Sequence, residues 1–140
     1  MAALALGALL SSGCRGKASI APGLTDAALM TLRNGMSTSE LRAKLGEPLA
    51  VLVRPGEPRP EATVSRWTYA SAACRASVGP AGFGCVGVSA EATFVGDTLQ
   101  VFSVKDMANG FEAFECSDVN CPRTSDQGHL RYLLERQRGR

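Results

Sequence analysis

Hydrophobic residues recur at helical spacing in two short runs near the start of the chain, then at strand spacing through its middle. Leu24, Ala28, Leu29 and Leu32 share one face of a helix that Thr25 can cap and Gly35 can stop. That spacing predicts about three turns at most. The next stretch, Met36 to Pro48, is punctuated at every position. Ser37 and Glu40 have the spacing of a capping box, and Met36 and Leu41 that of the accompanying hydrophobic staple. Leu41 and Leu45 face one way while Arg42 and Lys44 face outward. Gly46 ends this second helix and Pro48 prevents its return.

Strand patterns follow. Residues 49–53, LAVLV, are β-rich and lead into RPGEPRPEAT, whose prolines bar it from a sheet interior. Residues 64–70 alternate, with Ser65, Trp67 and Tyr69 on one face. Val88, Ala90, Ala92 and Phe94 share a face, and Gly96-Asp97 turns the chain into TLQVFSVKD as a hairpin. GFEAFEC reads as a further strand or as an extended cover on the sheet. The C-terminus predicts an amphipathic helix over 126–137, with Leu130, Leu133 and Leu134 inward and four arginines from Arg131 onward. Those arginines serve as a solvated basic tail or as a contact for anionic headgroups or an acidic partner. The Gly-Met-Ser pattern occurs once, so no internal repeat is present. These elements predict an α+β fold: two N-terminal helices packed on a three- to four-stranded antiparallel sheet, with a C-terminal helical extension.

The N-terminus changes the expected compartment. The apolar run from Ala2 to Leu10 is too short to span a hydrocarbon core, which takes about 20 helical residues, and suits the apolar region of a secretory signal. Small residues then precede Cys14, an arrangement that resembles the lipobox of bacterial lipoproteins, in which the cysteine is acylated, for example with palmitate. A plain cleaved signal with an incidental cysteine is the simpler alternative. The expected organisation is a signal over 1–14, a Gly/Pro-containing tether over 15–23, a domain over 24–105 and an extension over 106–140.

Four cysteines remain after Cys14: Cys74, Cys85, Cys116 and Cys121, an even number suited to an oxidising compartment. Of the three pairings, local closure favours Cys74–Cys85 and Cys116–Cys121, each bracketing a turn-rich segment. A zinc site on the four thiols, with His129, is the rival, but the spacings do not make a pair of tight knuckles. The 140 residues are 45% hydrophobic and 20% charged with a net charge of +2, which describes one globular domain and offers no surface for a polyanion. Nucleic acid is therefore not expected as a partner.

Taken in order, Gly35, Met36, Ser37, Glu40, Leu41, Leu45, Gly46 and Pro48, then Trp67 and Tyr69 in the strand that follows, resemble the SmpA/OmlA family of outer-membrane lipoproteins. Phe94 to Leu99 fit its last hairpin, and the resemblance covers about Leu24 to Lys105. It implies two helices on one face of a three-stranded antiparallel sheet. It also implies a non-catalytic accessory on the periplasmic side of the outer membrane, lipid-anchored, with an envelope protein such as the β-barrel assembly machinery as partner. The insertion at 74–85 and the residues beyond Lys105 depart from the family pattern. Secreted β-lactamase-inhibitor proteins share a related architecture but carry two such units in tandem.

Catalytic constellations are weak. His129 is the only histidine, and pairing it with Cys116 or Cys121 requires a free thiol. GPAGFG at 79–84 lacks the lysine and following helix of a phosphate loop. The sequence predicts no enzyme and no cofactor or metal, but a binding module. Its candidate contact surfaces are Trp67 and Tyr69 if they are exposed, any uncovered face of the sheet, and the Cys74–Cys85 loop.

Overall fold

The computed structural model describes residues 17–54, 63–76 and 83–139. The proposed signal and Cys14, the proline-rich loop at 55–62 and most of GPAGFG lie outside the described residues. Among those described, no helix is long and apolar enough to cross a membrane.

The chain is built on one large antiparallel sheet. Its strands are β1 (Ser19–Ile20), β2 (Ala50–Arg54), β3 (Val64–Ser71), β6 (Val88–Val95), β7 (Thr98–Asp106), β8 (Phe111–Cys116) and β9 (Arg123–Thr124). The order runs β1-β3-β6-β7-β8-β9, and β2 also pairs with β3. β1 and β2 therefore lie end to end along one edge of β3, β1 against Ala70 and Ser71, β2 against Val64 to Thr68. A separate two-stranded ribbon, β4 (Ala73–Ala76) and β5 (Phe83–Val86), continues β3 and β6 past the sheet. Among the described residues three helices complete the fold: α1 (Asp26–Leu29), α2 (Thr38–Leu45) and α3 (Gln127–Arg138).

This corrects the expected two helices on a three- to four-stranded sheet. The seven-stranded sheet dominates, the first helix is a single turn, and the longest helix is the last. Each difference has a local cause. Thr25 does cap α1, accepting from the Ala28 amide at 3.1 Å, but Thr31 bonds back to the Ala28 carbonyl at 2.6 Å and the chain turns away before Leu32. The supposed tether contributes β1, and Ala21 is fully buried. Of the two readings of GFEAFEC, a further strand or an extended cover, the structure has the strand: it is β8 and pairs with β7 from Phe102 to Asp106. The expected boundary at 105/106 falls inside β7, so sheet and core run across it.

Alternation gives the sheet two unlike faces. Ser65, Trp67, Tyr69, Ala90, Ala92, Phe94, Phe102, Val104 and Phe114 are buried with Leu24, Leu29, Leu41, Leu45, Leu130 and Leu134 of the helical layer. The opposite face carries Arg66, Thr68, Glu91, Thr93, Ser103, Lys105 and Glu115, with an Arg66–Glu91 ion pair at 3.6 Å. On that face Glu112 is held above the usual carboxylate range, first by partial burial and then by its hydrogen bond with Glu115. α3 packs on β1, β6 and β8 and against α1, where Arg131 pairs with Asp26 at 2.9 Å.

Tyr69 ties the layers together: fully buried, its hydroxyl donates to the Gly46 carbonyl at the end of α2 at 3.0 Å. Burial, chiefly, pushes its phenol up to about 12. The folded state thus favours the protonated phenol. Between pH 10 and 12 the unfolded chain has lost this proton and the folded chain has kept it, so stability is full below pH 10 and falls as pH rises through that window. Thermal midpoints measured from pH 9 to 12 should fall steeply in the parent. In Tyr69→Phe, slightly less stable at neutral pH, the fall should be shallower.

Candidate functional site

The residues of the Gly35–Pro48 motif all have structural tasks. Ser37 and Glu40 form the capping box, the Ser37 amide donating to Glu40 Oε2 at 3.0 Å and the Glu40 amide to Ser37 Oγ at 3.2 Å. Met36, Leu41 and Leu45 are buried, and Gly46 closes α2 at φ +77°. The segment is also hooked to the β6–β7 hairpin: the Gly35 amide donates to the Leu99 carbonyl and the Leu99 amide to the Met36 carbonyl. Asp97 in that hairpin turn accepts from the Thr38 amide and hydroxyl, which holds its carboxyl below the usual range. Pro48 leads into β2.

Trp67 and Tyr69 are core residues rather than contacts. Trp67 is 5% exposed, packed on Phe94 at 4.8 Å between ring centroids and covered by the Arg42 guanidinium at 4.7 Å. The cysteines pair as Cys74–Cys85 and Cys116–Cys121. The first bond staples β4 to β5; the second closes the loop between β8 and β9. Among the described residues no three His, Cys, Asp or Glu side chains gather as metal ligands would.

The stapled ribbon stands apart from the other elements. β4 and β5 pair from Ala73↔Val86 to Ala76↔Phe83 and otherwise make few contacts. A two-stranded ribbon alone is marginal in water, so the disulfide is what makes this one persist. Its root, by contrast, is locked. Gln137 of α3, buried, accepts from the Val88 amide at 3.3 Å and donates to the Ser19 and Ser71 carbonyls at 3.2 and 3.0 Å. One side chain thus joins β1, β3 and β6 where the ribbon leaves the sheet.

Beside this root, α3 and the turn at 107–110 enclose a cleft of about 110 Å3. Asp106 shapes the turn, accepting from the Ala108 amide and Asn109 Nδ2 at 3.1 and 2.8 Å. Along the cleft runs a stack: Phe111 on His129 (centroids 5.3 Å), His129 on Tyr132 (6.1 Å), and the Arg136 guanidinium over Tyr132 (5.9 Å). Phe111 is 39% and Tyr132 52% exposed, and Val86 of the ribbon adds a further exposed apolar side chain. His129 Nε2 is buried within this group without a hydrogen-bond partner among the described residues. Tyrosine and arginine are among the residue types that concentrate binding energy at protein interfaces.

Sequence reading singled out neither Phe111 nor Tyr132. The signal was there: His129, Tyr132 and Arg136 fall at spacings of three and four, a second stripe of α3 beside the leucine stripe. Three of the four C-terminal arginines are engaged rather than free, and Arg140 lies outside the described residues. Arg131 is paired with Asp26, Arg138 donates to the Leu24 carbonyl, and Arg136 bonds the Tyr132 hydroxyl at 3.1 Å. Comparison of the chain with protein-family models, curated proteins and solved structures returns no match.

Proposed function

We propose that this chain is an exported, lipid-anchored and non-catalytic module of the bacterial envelope that binds another envelope protein through the Phe111–His129–Tyr132–Arg136 stack and the adjoining stapled ribbon. The stack carries the reading: half-exposed aromatics and an arginine beside a cleft are expensive to keep in water and rewarding to cover. Two disulfides agree with an oxidising compartment, and the apolar run ending at Cys14 supplies a route to it. The resemblance of the Gly35–Pro48 stretch to SmpA/OmlA lipoproteins makes the outer membrane, facing the periplasm, the proposed location and barrel assembly the proposed setting.

Crosslinked capture from native membranes tests the module. Recovery of barrel-assembly components supports this setting; recovery of a soluble hydrolase alone indicates an inhibitor instead. Tyr132→Ala should weaken capture by about tenfold or more, as truncated interface aromatics do, while the thermal midpoint hardly moves, because Tyr132 is half exposed. Unchanged capture by Tyr132→Ala would falsify the surface assignment. For the anchor, palmitate label persisting in Cys14→Ala removes the lipoprotein reading.

The staple has its own expected result. In Cys74→Ser/Cys85→Ser the ribbon should fray and capture should fall, with only a small loss of global stability. Loop entropy alone gives about 3 kcal/mol for a closed loop of this length. The native chain recovers part of that, however, when a ribbon with few outside contacts is released. Circular dichroism melts set beside capture yields separate the two effects.

A further inference from the structure

β2 is an unusual edge strand. Among the described residues it pairs with β3 on one side only, and all five of its residues are exposed although four are apolar. Val51, Leu52 and Val53 are 49%, 50% and 57% exposed, and Leu49 just before them is 44%. Edge strands ordinarily carry inward charges, prolines or bulges that block pairing. β2 has none within Ala50–Val53, and its pairing with β3 is regular. The Leu49 amide donates to the Thr68 carbonyl at 2.7 Å. The Thr68 carbonyl thus faces β2, whereas the Thr63 carbonyl faces β6 and accepts from the Gly96 amide at 2.8 Å. By the alternation of an antiparallel pair, Ala50, Leu52 and Arg54, opposite Thr68, Arg66 and Val64, direct their backbone groups to β3, and Val51 and Val53 direct theirs outward.

We propose that this edge pairs with the same edge of a second copy, β2 to β2 antiparallel about a two-fold axis through Leu52, joining two sheets into one. The strand fits itself. With Leu52 opposite the second copy's Leu52, Ala50 lies opposite Arg54, and Val51 opposite Val53. No like charges meet, since the only charge in the strand faces an alanine over which its aliphatic stem can lie. Both faces of β2 are apolar, so an occupant must be apolar on both faces too, and β2 is such a strand. An isologous contact of this kind closes at two copies and does not propagate. Pairing along one five-residue edge covers only part of the exposed surface of these residues and stays below the about 1,000 Å2 that stable specific interfaces bury. The dimer is therefore weak and concentration-dependent. It uses the end of β3 remote from the ribbon and leaves the Tyr132 surface free in both copies.

Sedimentation velocity on the full chain across a concentration series gives the primary readout. The parent should shift from monomer toward dimer as concentration rises. Leu52→Lys, which sets two ammonium groups face to face at an exposed position, should weaken association about tenfold or more while retaining the parent's thermal midpoint. In a Cys14→Ser background, Leu52→Cys should crosslink to itself on mild oxidation, since a non-hydrogen-bonded antiparallel pair brings opposed Cα atoms to about 4.5 Å, within the span of a disulfide. Val53→Cys, opposite Val51, should not. A parent that stays monomeric at ~1 mM, an unchanged association of Leu52→Lys, or crosslinking through Val53→Cys alone overturns the pairing. The first of these outcomes assigns the edge to a foreign strand.

Discussion

Phe102→Ala should destabilise the chain by about 4 kcal/mol, within the range for truncating a buried phenylalanine. For a domain of this size the thermal midpoint then falls by roughly 10–15 °C. Phe102 is fully buried on β7, the strand between β6 and β8. Its ring lies 5.8 Å from Tyr69 and meets Phe114 edge-on at 6.3 Å. The register sets Ala92 on one side and Cys116 on the other. Neither of these flanking residues is long enough to fill the space a lost ring leaves, so the cavity stays open. The neighbouring Val101, partly exposed on the uncovered face, is the control: Val101→Ala should cost under about 1 kcal/mol. Urea unfolding of the two variants measures the contrast. Equal losses would mean that the sheet buries both faces and that the two-layer description is wrong.

That contrast between adjacent residues was readable in the sequence, because alternation is a local property. Val88, Ala90, Ala92 and Phe94 were legible as one face, and all four are buried. The capping box at Ser37 and Glu40 was legible for the same reason, since it closes within a few residues. Sheet extent was not. β8 earns its place through pairing with β7, and β1 through two residues lying against Ala70 and Ser71. Neither short segment carries a pattern strong enough to announce itself. Cysteine spacing showed the staple but hid the strands inside it, because glycines and a proline between Cys74 and Cys85 read as loop.

The candidate surface was harder to see for a related reason. Trp67 and Tyr69 drew attention as large aromatics, yet alternation sends them to the covered face along with Ser65. Phe111 and Tyr132, which are exposed, sit on different elements and meet only through His129. Helical spacing could join His129, Tyr132 and Arg136. Only the β7–β8 turn brings Phe111 to them.

Gly87→Ala should cost about 3 kcal/mol and lower the thermal midpoint by roughly 10 °C. Two effects add. Gly87 sits at φ +104°, a conformation that side-chain-bearing residues rarely adopt. A Cβ built there would also lie 2.4 Å from Gln137 Oε1 and 3.2 Å from its Cδ. Gln137 cannot step aside without surrendering the buried Val88 amide and the part-buried Ser19 and Ser71 carbonyls. Gln137→Ala alone should cost about 2 kcal/mol for those unmet groups. In the double variant the clash disappears while the backbone strain stays, so the combined loss should fall short of the sum of the single losses. Additive losses would show that the glycine and the glutamine act independently. In that case α3 does not set the angle at which the stapled ribbon leaves the sheet. If the coupling is present, Gly87→Ala should also weaken capture at the Tyr132 surface, because Val86 and Tyr132 line the same cleft on either side of this contact.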